Sequence, residues 1–123
     1  HMNYVLTGGA GHITKPLAEQ LLAAGHQVTV IGRDAAKLQS LVDKGAKAAV
    51  GSVEDPSFLT NAFAGADAVY LMIPPNFSVT DWLGYQKKVA DYFVQAVKAN
   101  QIQKVVVLSS IGAHMRKGAG PVD

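Results

Sequence analysis

Short apolar runs rich in β-branched residues alternate with stretches of helical period along the whole sequence, and few folds accommodate that alternation. Asn3-Tyr4-Val5-Leu6-Thr7 reads as a buried strand broken by Gly8-Gly9. Ile13, Leu17 and Leu21, with Ala18 and Leu22 beside them, then repeat at helical spacing up to Gly25, with Pro16 tolerated in the first turn. Val28-Thr29-Val30-Ile31 is the second strand. Asp34 caps a helix carrying Leu38, Leu41 and Val42, which stops at Gly45. Ala48-Ala49-Val50 is a weak third strand, and Asp55-Pro56 opens a short helix with Phe58, Leu59 and Phe63. Val69-Tyr70-Leu71-Met72-Ile73 is a strong fourth strand ended by Pro74-Pro75. Asp81 caps the longest helix, with Trp82, Tyr85, Val89, Phe93 and Val97 on one apolar face until Asn100. Val105-Val106-Val107-Leu108 closes the series as a strand expected to be buried on both faces. Strict alternation implies parallel strands joined by right-handed crossovers. The expected fold is therefore α/β, a doubly wound parallel sheet in the order 3-2-1-4-5.

Composition supports one core and narrows the partners. Of 123 residues, 49% are hydrophobic and 16% charged, and mean hydropathy is +0.15; that balance belongs to a folded domain rather than a disordered chain. One domain, residues 3–123, is expected, with no repeat or linker to support a second. No apolar run approaches the roughly 20 residues of a membrane span, and a net charge of +2 is too small and scattered to suggest nucleic acid. The absence of cysteine excludes disulfides and thiolate metal sites, and is compatible with a cytoplasmic location. His1 reads as a cloning remnant before Met2, with no basic-then-apolar leader after it.

In an open parallel sheet, ligands sit beyond the carboxyl ends of the strands, at the switch point beside strand one. That strand runs into Thr7-Gly8-Gly9-Ala10-Gly11-His12-Ile13-Thr14, where a helix begins. Glycines permit a sharp turn and close approach, and the N–H groups of His12, Ile13 and Thr14 are expected to point outward at the positive end of the helix. Such a turn suits a pyrophosphate. A nucleoside-triphosphatase phosphate loop is excluded, because Thr14-Lys15 lacks the Gly-Lys-Ser/Thr ending. A methyltransferase reading would want an acidic residue after strand two, where Ile31-Gly32-Arg33 stands instead.

Thr7-Gly8-x-x-Gly11-x-x, Gly32-Arg33, Gly51, Ile73-Pro74-Pro75 and Ser109-Ser110-x-Gly112-Ala113 together resemble the atypical short-chain dehydrogenase/reductases, with the NmrA-like and NAD(P)-dependent epimerase-like members nearest. The resemblance covers nearly all of the chain after Asn3 and implies a Rossmann domain that binds NAD(P). It places Gly8, Gly11, His12 and Ile13 on the pyrophosphate through their backbone, Ser52 and Val53 beside adenine, and Ser109 near the nicotinamide ribose. Met72, Ile73 and Pro74 either wall the dinucleotide path or pack in the core. Two departures stand out. Thr14 replaces the third glycine, so its side chain either donates to a phosphate or turns away. Ser52 replaces the family's aspartate after the strand-three glycine.

Arg33 bears on which dinucleotide is preferred. A carboxylate after strand two would repel a 2′-phosphate, whereas a guanidinium pairs with it. A charge-assisted contact worth roughly 1.5–3 kcal/mol corresponds to about a ten- to hundredfold preference for NADP(H) over NAD(H). Lys37, one helical turn on, offers a second charge. The competing reading has Arg33 simply starting a helix at the surface, paired with Asp34 or solvated. His26 is expected in a surface loop, Trp82 and Tyr85 in the core, and Lys87-Lys88 on a solvated face.

Active members of this resemblance usually hold a serine after strand five and then a Tyr-x-x-x-Lys pair, in which the lysine lowers the tyrosine pKa. Ser109 and Ser110 occupy the serine region, making Ser109 the one candidate catalytic residue, but none of Tyr4, Tyr70, Tyr85 and Tyr92 has lysine four residues later. Related chains are more than twice as long, so this sequence reads as the N-terminal, dinucleotide-binding part of a larger protein, inactive by itself. Strand five would then be an open edge, inviting self-association. The expected function is NADP(H) binding within an oxidoreductase that moves hydride between nicotinamide and a small organic acceptor such as a quinone. The alternatives are an NmrA-like dinucleotide-sensing regulator without turnover and a cofactor-free structural remnant.

Overall fold

The computed structural model describes residues 2–8, 11, 13–73 and 78–108. Five strands, β1 (Asn3–Leu6), β2 (Gln27–Gly32), β3 (Lys47–Val50), β4 (Ala68–Leu71) and β5 (Lys104–Val107), alternate with four helices, α1 (Thr14–Ala23), α2 (Ala35–Val42), α3 (Pro56–Ala62) and α4 (Trp82–Ala99). All strand pairs are parallel, and the sheet order is β3-β2-β1-β4-β5, the expected doubly wound arrangement. The chain winds outward from β1 to β3, then returns to β4 on the other side of β1. That reversal puts the ends of β1, β2, β3 and β4 along one rim.

Period-two alternation divides the strands between two cores. Val5, Ile31, Val69 and Leu71 point to the α3/α4 side, where they meet Leu59, Phe63, Val89 and Phe93. Leu6, Val28 and Val30 point to the α1/α2 side and meet Ala18, Leu38 and Leu41. Strands buried on both faces need continuous apolar runs, which is how β1, β2 and β4 read in sequence. On the first side the rings of Phe63 and Phe93 stack 6.3 Å apart, and the Asn100 amide, donating to the Thr60 carbonyl at 2.9 Å, ties the end of α4 to α3. On the second, Lys44 pairs with Glu19 of α1, and its hydrogen bond holds the Glu19 carboxyl below the ordinary carboxylate range.

Helix starts follow the sequence cues. Asp34 accepts from the Ala36 N–H, Asp55 from the Phe58 N–H and Asp81 from the Gly84 N–H. Each satisfies a donor that the first turn leaves without an intrahelical partner.

Several local expectations are corrected. β5 is half-buried rather than buried on both faces, because among the described residues it pairs only with β4. Trp82 lies 38% exposed; it starts α4 and stacks on Tyr85, which is the ring that enters the core. His26 lies in the loop between α1 and β2 but is half-buried there rather than at the surface: its Nδ1 accepts the Met2 N–H at 3.0 Å, and its ring packs edge-on against Tyr4. Among the described residues, no helix is long and apolar enough to cross a membrane.

Candidate functional site

The rim at the carboxyl ends of β1 and β4 is locked by two threonines. Thr7, fully buried, donates from its hydroxyl to the Met72 carbonyl at 2.8 Å and accepts from the Met72 N–H at 2.6 Å. Its own N–H donates to the Tyr70 carbonyl at 3.0 Å. One side chain thus extends the β1–β4 ladder past Leu71, where the strand itself ends. Thr14, at the first residue of α1, is equally buried and donates to the Thr7 carbonyl at 3.1 Å. Of the two roles open to Thr14 in sequence, the structure has the hydroxyl turned away from solvent, where it clamps the helix to the strand.

Between these threonines the backbone turns at Gly8, whose φ of 66° lies in the left-handed region. A Cβ there would come within 2.6 Å of the Met72 methyl carbon, and one on Gly11 within 3.0 Å. The dihedral at Gly8 favours bare backbone, and the end of the Met72 side chain packs over both glycines. The Gly11 N–H donates to the Gly8 carbonyl at 2.9 Å and closes the turn. Ile13, 52% exposed, is the N-cap of α1 and makes no side-chain cap, and the first turn carries no acidic residue. The three other helices have aspartate at this position. This arrangement leaves the start of α1 suited to an external anion. His12 lies outside the described residues, as do Pro74 and Ser109.

Along the rim, Arg33 leaves the end of β2 and reaches across to the loop after β3. Its guanidinium donates to the Ser52 hydroxyl at 3.1 Å and to the Glu54 carboxylate at 2.7 Å. Arg33 is paired, then, but with Glu54 rather than Asp34, whose carboxylate is engaged in capping α2. Ser52 also accepts the Glu54 N–H at 3.0 Å, which fixes the loop below the guanidinium. Glu54 in turn accepts from the Tyr85 hydroxyl at 3.4 Å and pairs with Lys88 at 3.5 Å. Lys88, expected on a merely solvated face, also lies 5.7 Å from the centre of the Tyr85 ring. Lys37 is exposed on α2.

Gly51 explains how this loop lies so close to the sheet. Its N–H donates to the Gly32 carbonyl at 2.9 Å, and the Phe58 ring packs on its α-carbon so tightly that a Cβ would fall 2.7 Å from the ring. Two of the residues named for the ligand path bury their side chains, which for Ile73 is the core packing left open in sequence. Val53 and Ile73 are both buried in the cluster with Leu71, Tyr85 and Val89; each side chain points inward as the rim turns over the sheet. Met72, half-buried against Gly8 and Gly11, stays at the surface of the rim. The sequence alone does not single out Glu54. Its only local signal is a carboxylate two residues after Ser52, which says nothing of Arg33 until β2 and β3 are paired.

Comparison with known proteins agrees with this geometry. A family model described as NAD(P)H-binding matches residues 8–122. The chain is 34% identical over 67 residues to the sterol-4-alpha-carboxylate 3-dehydrogenase, decarboxylating, of Dictyostelium discoideum, a match covering 54% of this chain and 20% of that protein. It shares its fold with the triphenylmethane reductase of Citrobacter sp. in complex with NADP(H), at a TM-score of 0.71 and 22% identity over 85% of this chain and 36% of that one. A nucleoside-diphosphate-sugar epimerase from Pseudomonas aeruginosa gives a TM-score of 0.74 at 20% identity, over 87% of this chain and 33% of that one. The chain thus spans a fifth of the curated relative and about a third of each of these structures. With its glycine turn at the β1–α1 junction, its sheet order and the family match over nearly its full length, the chain belongs to the NAD(P)H-binding family, on a Rossmann-type parallel sheet.

Proposed function

We propose that this chain is the NADP(H)-binding unit, residues 3–123, of a cytoplasmic oxidoreductase that moves hydride between nicotinamide and a small organic acceptor such as a quinone. The observation carrying the NADP(H) preference is Arg33, exposed at the end of β2 on the same rim as the glycine turn, where a 2′-phosphate would meet a guanidinium instead of a carboxylate. The residues fit a dinucleotide. Gly8 and Gly11 give a side-chain-free turn, Ile13 starts a helix without a side-chain cap, and Ser52 lies next to Arg33 for the adenosine end. Met72 forms the apolar wall at the turn. His12 on the pyrophosphate, Pro74 on the wall and Ser109 at the nicotinamide ribose rest on the family resemblance alone. When bound, the nicotinamide supplies the hydride donor or acceptor; the part of this chain is to bind and orient it.

Titration calorimetry with NADPH and NADH tests the reading. NADPH is expected to bind about ten- to hundredfold more tightly, and Arg33→Ala to abolish most of that difference. Equal binding of the two dinucleotides, or a preference that survives Arg33→Ala, would remove Arg33 from this role. Oxidation of NADPH by a panel of quinones separates an oxidoreductase from a dinucleotide-sensing regulator, which would bind NADPH without turnover.

A further inference from the structure

We propose that Glu54 is an internal occupant of the Arg33 anion site, setting how strongly the chain prefers a 2′-phosphorylated dinucleotide. This rests on the NADP(H) reading above and extends it to a residue that the glycine turn and Arg33 do not imply. One carboxylate bridges two cations from separate elements: Oε2 meets Arg33 at 2.7 Å and Oε1 meets Lys88 at 3.5 Å. All three side chains are accessible, at 63% for Arg33, 30% for Glu54 and 48% for Lys88. Glu54 therefore holds Arg33 much as a phosphate oxygen would, in a place that solutes can reach.

The surroundings give that carboxylate partners other than Arg33. A 2′-phosphate arriving at Arg33 competes with Glu54 for the same guanidinium. Glu54 retains Lys88 and the Tyr85 hydroxyl, 3.4 Å away, so it can release Arg33 without losing every partner. Ser52, bonded to both the Arg33 side chain and the Glu54 N–H, keeps the loop in place during the exchange. NAD(H) carries a 2′-hydroxyl there and need not displace the carboxylate. Specificity is then a difference between two occupants of one guanidinium, with Glu54 acting against the phosphorylated one.

Binding of NADPH and NADH is measured for the unsubstituted chain, Glu54→Gln, Arg33→Ala and the double variant, with Glu54→Ala as an independent removal of the carboxylate. Loss of the carboxylate that competes for Arg33 is expected to raise the NADPH-to-NADH affinity ratio about three- to tenfold, in both Glu54 variants. In the Arg33→Ala background the same substitution should change the ratio by less than about twofold, because the effect acts through the guanidinium. A ratio unmoved by Glu54→Gln and Glu54→Ala overturns the inference. So does an equal gain with and without Arg33, which would mean direct repulsion of the phosphate, and so does an equal loss of both dinucleotides, which would mean contact with their shared adenosine. If the unsubstituted chain binds neither dinucleotide, the functional reading itself falls, and this inference with it.

Discussion

Replacing Thr7 by valine removes a hydroxyl and leaves the shape of the side chain nearly unchanged. The hydroxyl donates to the Met72 carbonyl at 2.8 Å and accepts the Met72 N–H at 2.6 Å, in a fully buried position. Valine puts a methyl between those groups and can answer neither, so an N–H and a carbonyl lose their partner together. Each buried polar group left unpaired costs about 1–3 kcal/mol. Met72 itself is half-buried, which lets water recover part of the loss, so about 2–4 kcal/mol is expected for the pair. For a chain of this size about 1 kcal/mol corresponds to roughly 4 °C, giving a fall in Tm of about 8–16 °C. Thermal melts followed by circular dichroism would read this directly. Thr7→Ser keeps the hydroxyl and loses only a methyl group, so it should recover more than half of the fall. Equal melting of the parent and Thr7→Val, or equal damage from valine and serine, would refute the view that the hydroxyl joins β1 to the segment after β4.

Restoring the third glycine of the turn is expected to harm the protein. Thr14→Gly deletes the hydrogen bond to the Thr7 carbonyl and adds backbone entropy in a helix, lowering stability by about 1–3 kcal/mol in denaturant titrations; unchanged stability would show the clamp to be idle. Gly51→Ala places a methyl 2.7 Å from the Phe58 ring and should cost about 1–3 kcal/mol by overpacking. Because that loop holds Ser52 and Glu54 under Arg33, the same variant should also weaken NADPH binding in calorimetry.

Elements and their order were legible because their causes are local. β-branched runs, aspartates at helix starts and periodic apolar residues each act over a few neighbours, and strict alternation then leaves the parallel sheet as the solution. The glycine turn and Arg33 were legible for the same reason, since each follows a strand end. Side-chain direction at the rim was not. Val53 and Ile73 carry the same apolar character whether they face a ligand or a core, and only the packing of α4 on the sheet turns both inward.

What the residues determined by themselves is thus a doubly wound sheet with a glycine-rich turn and a cation at its switch point. Which groups meet there was decided by tertiary structure. Thr7 and Met72 lie 65 residues apart, and Arg33 and Glu54 lie 21 apart; the register of β1 on β4 and of β2 on β3 brings each pair together. Hydrogen bonds and ion pairs act over about 3 Å, so their partners exist only once the strands are aligned, and no local pattern can announce them.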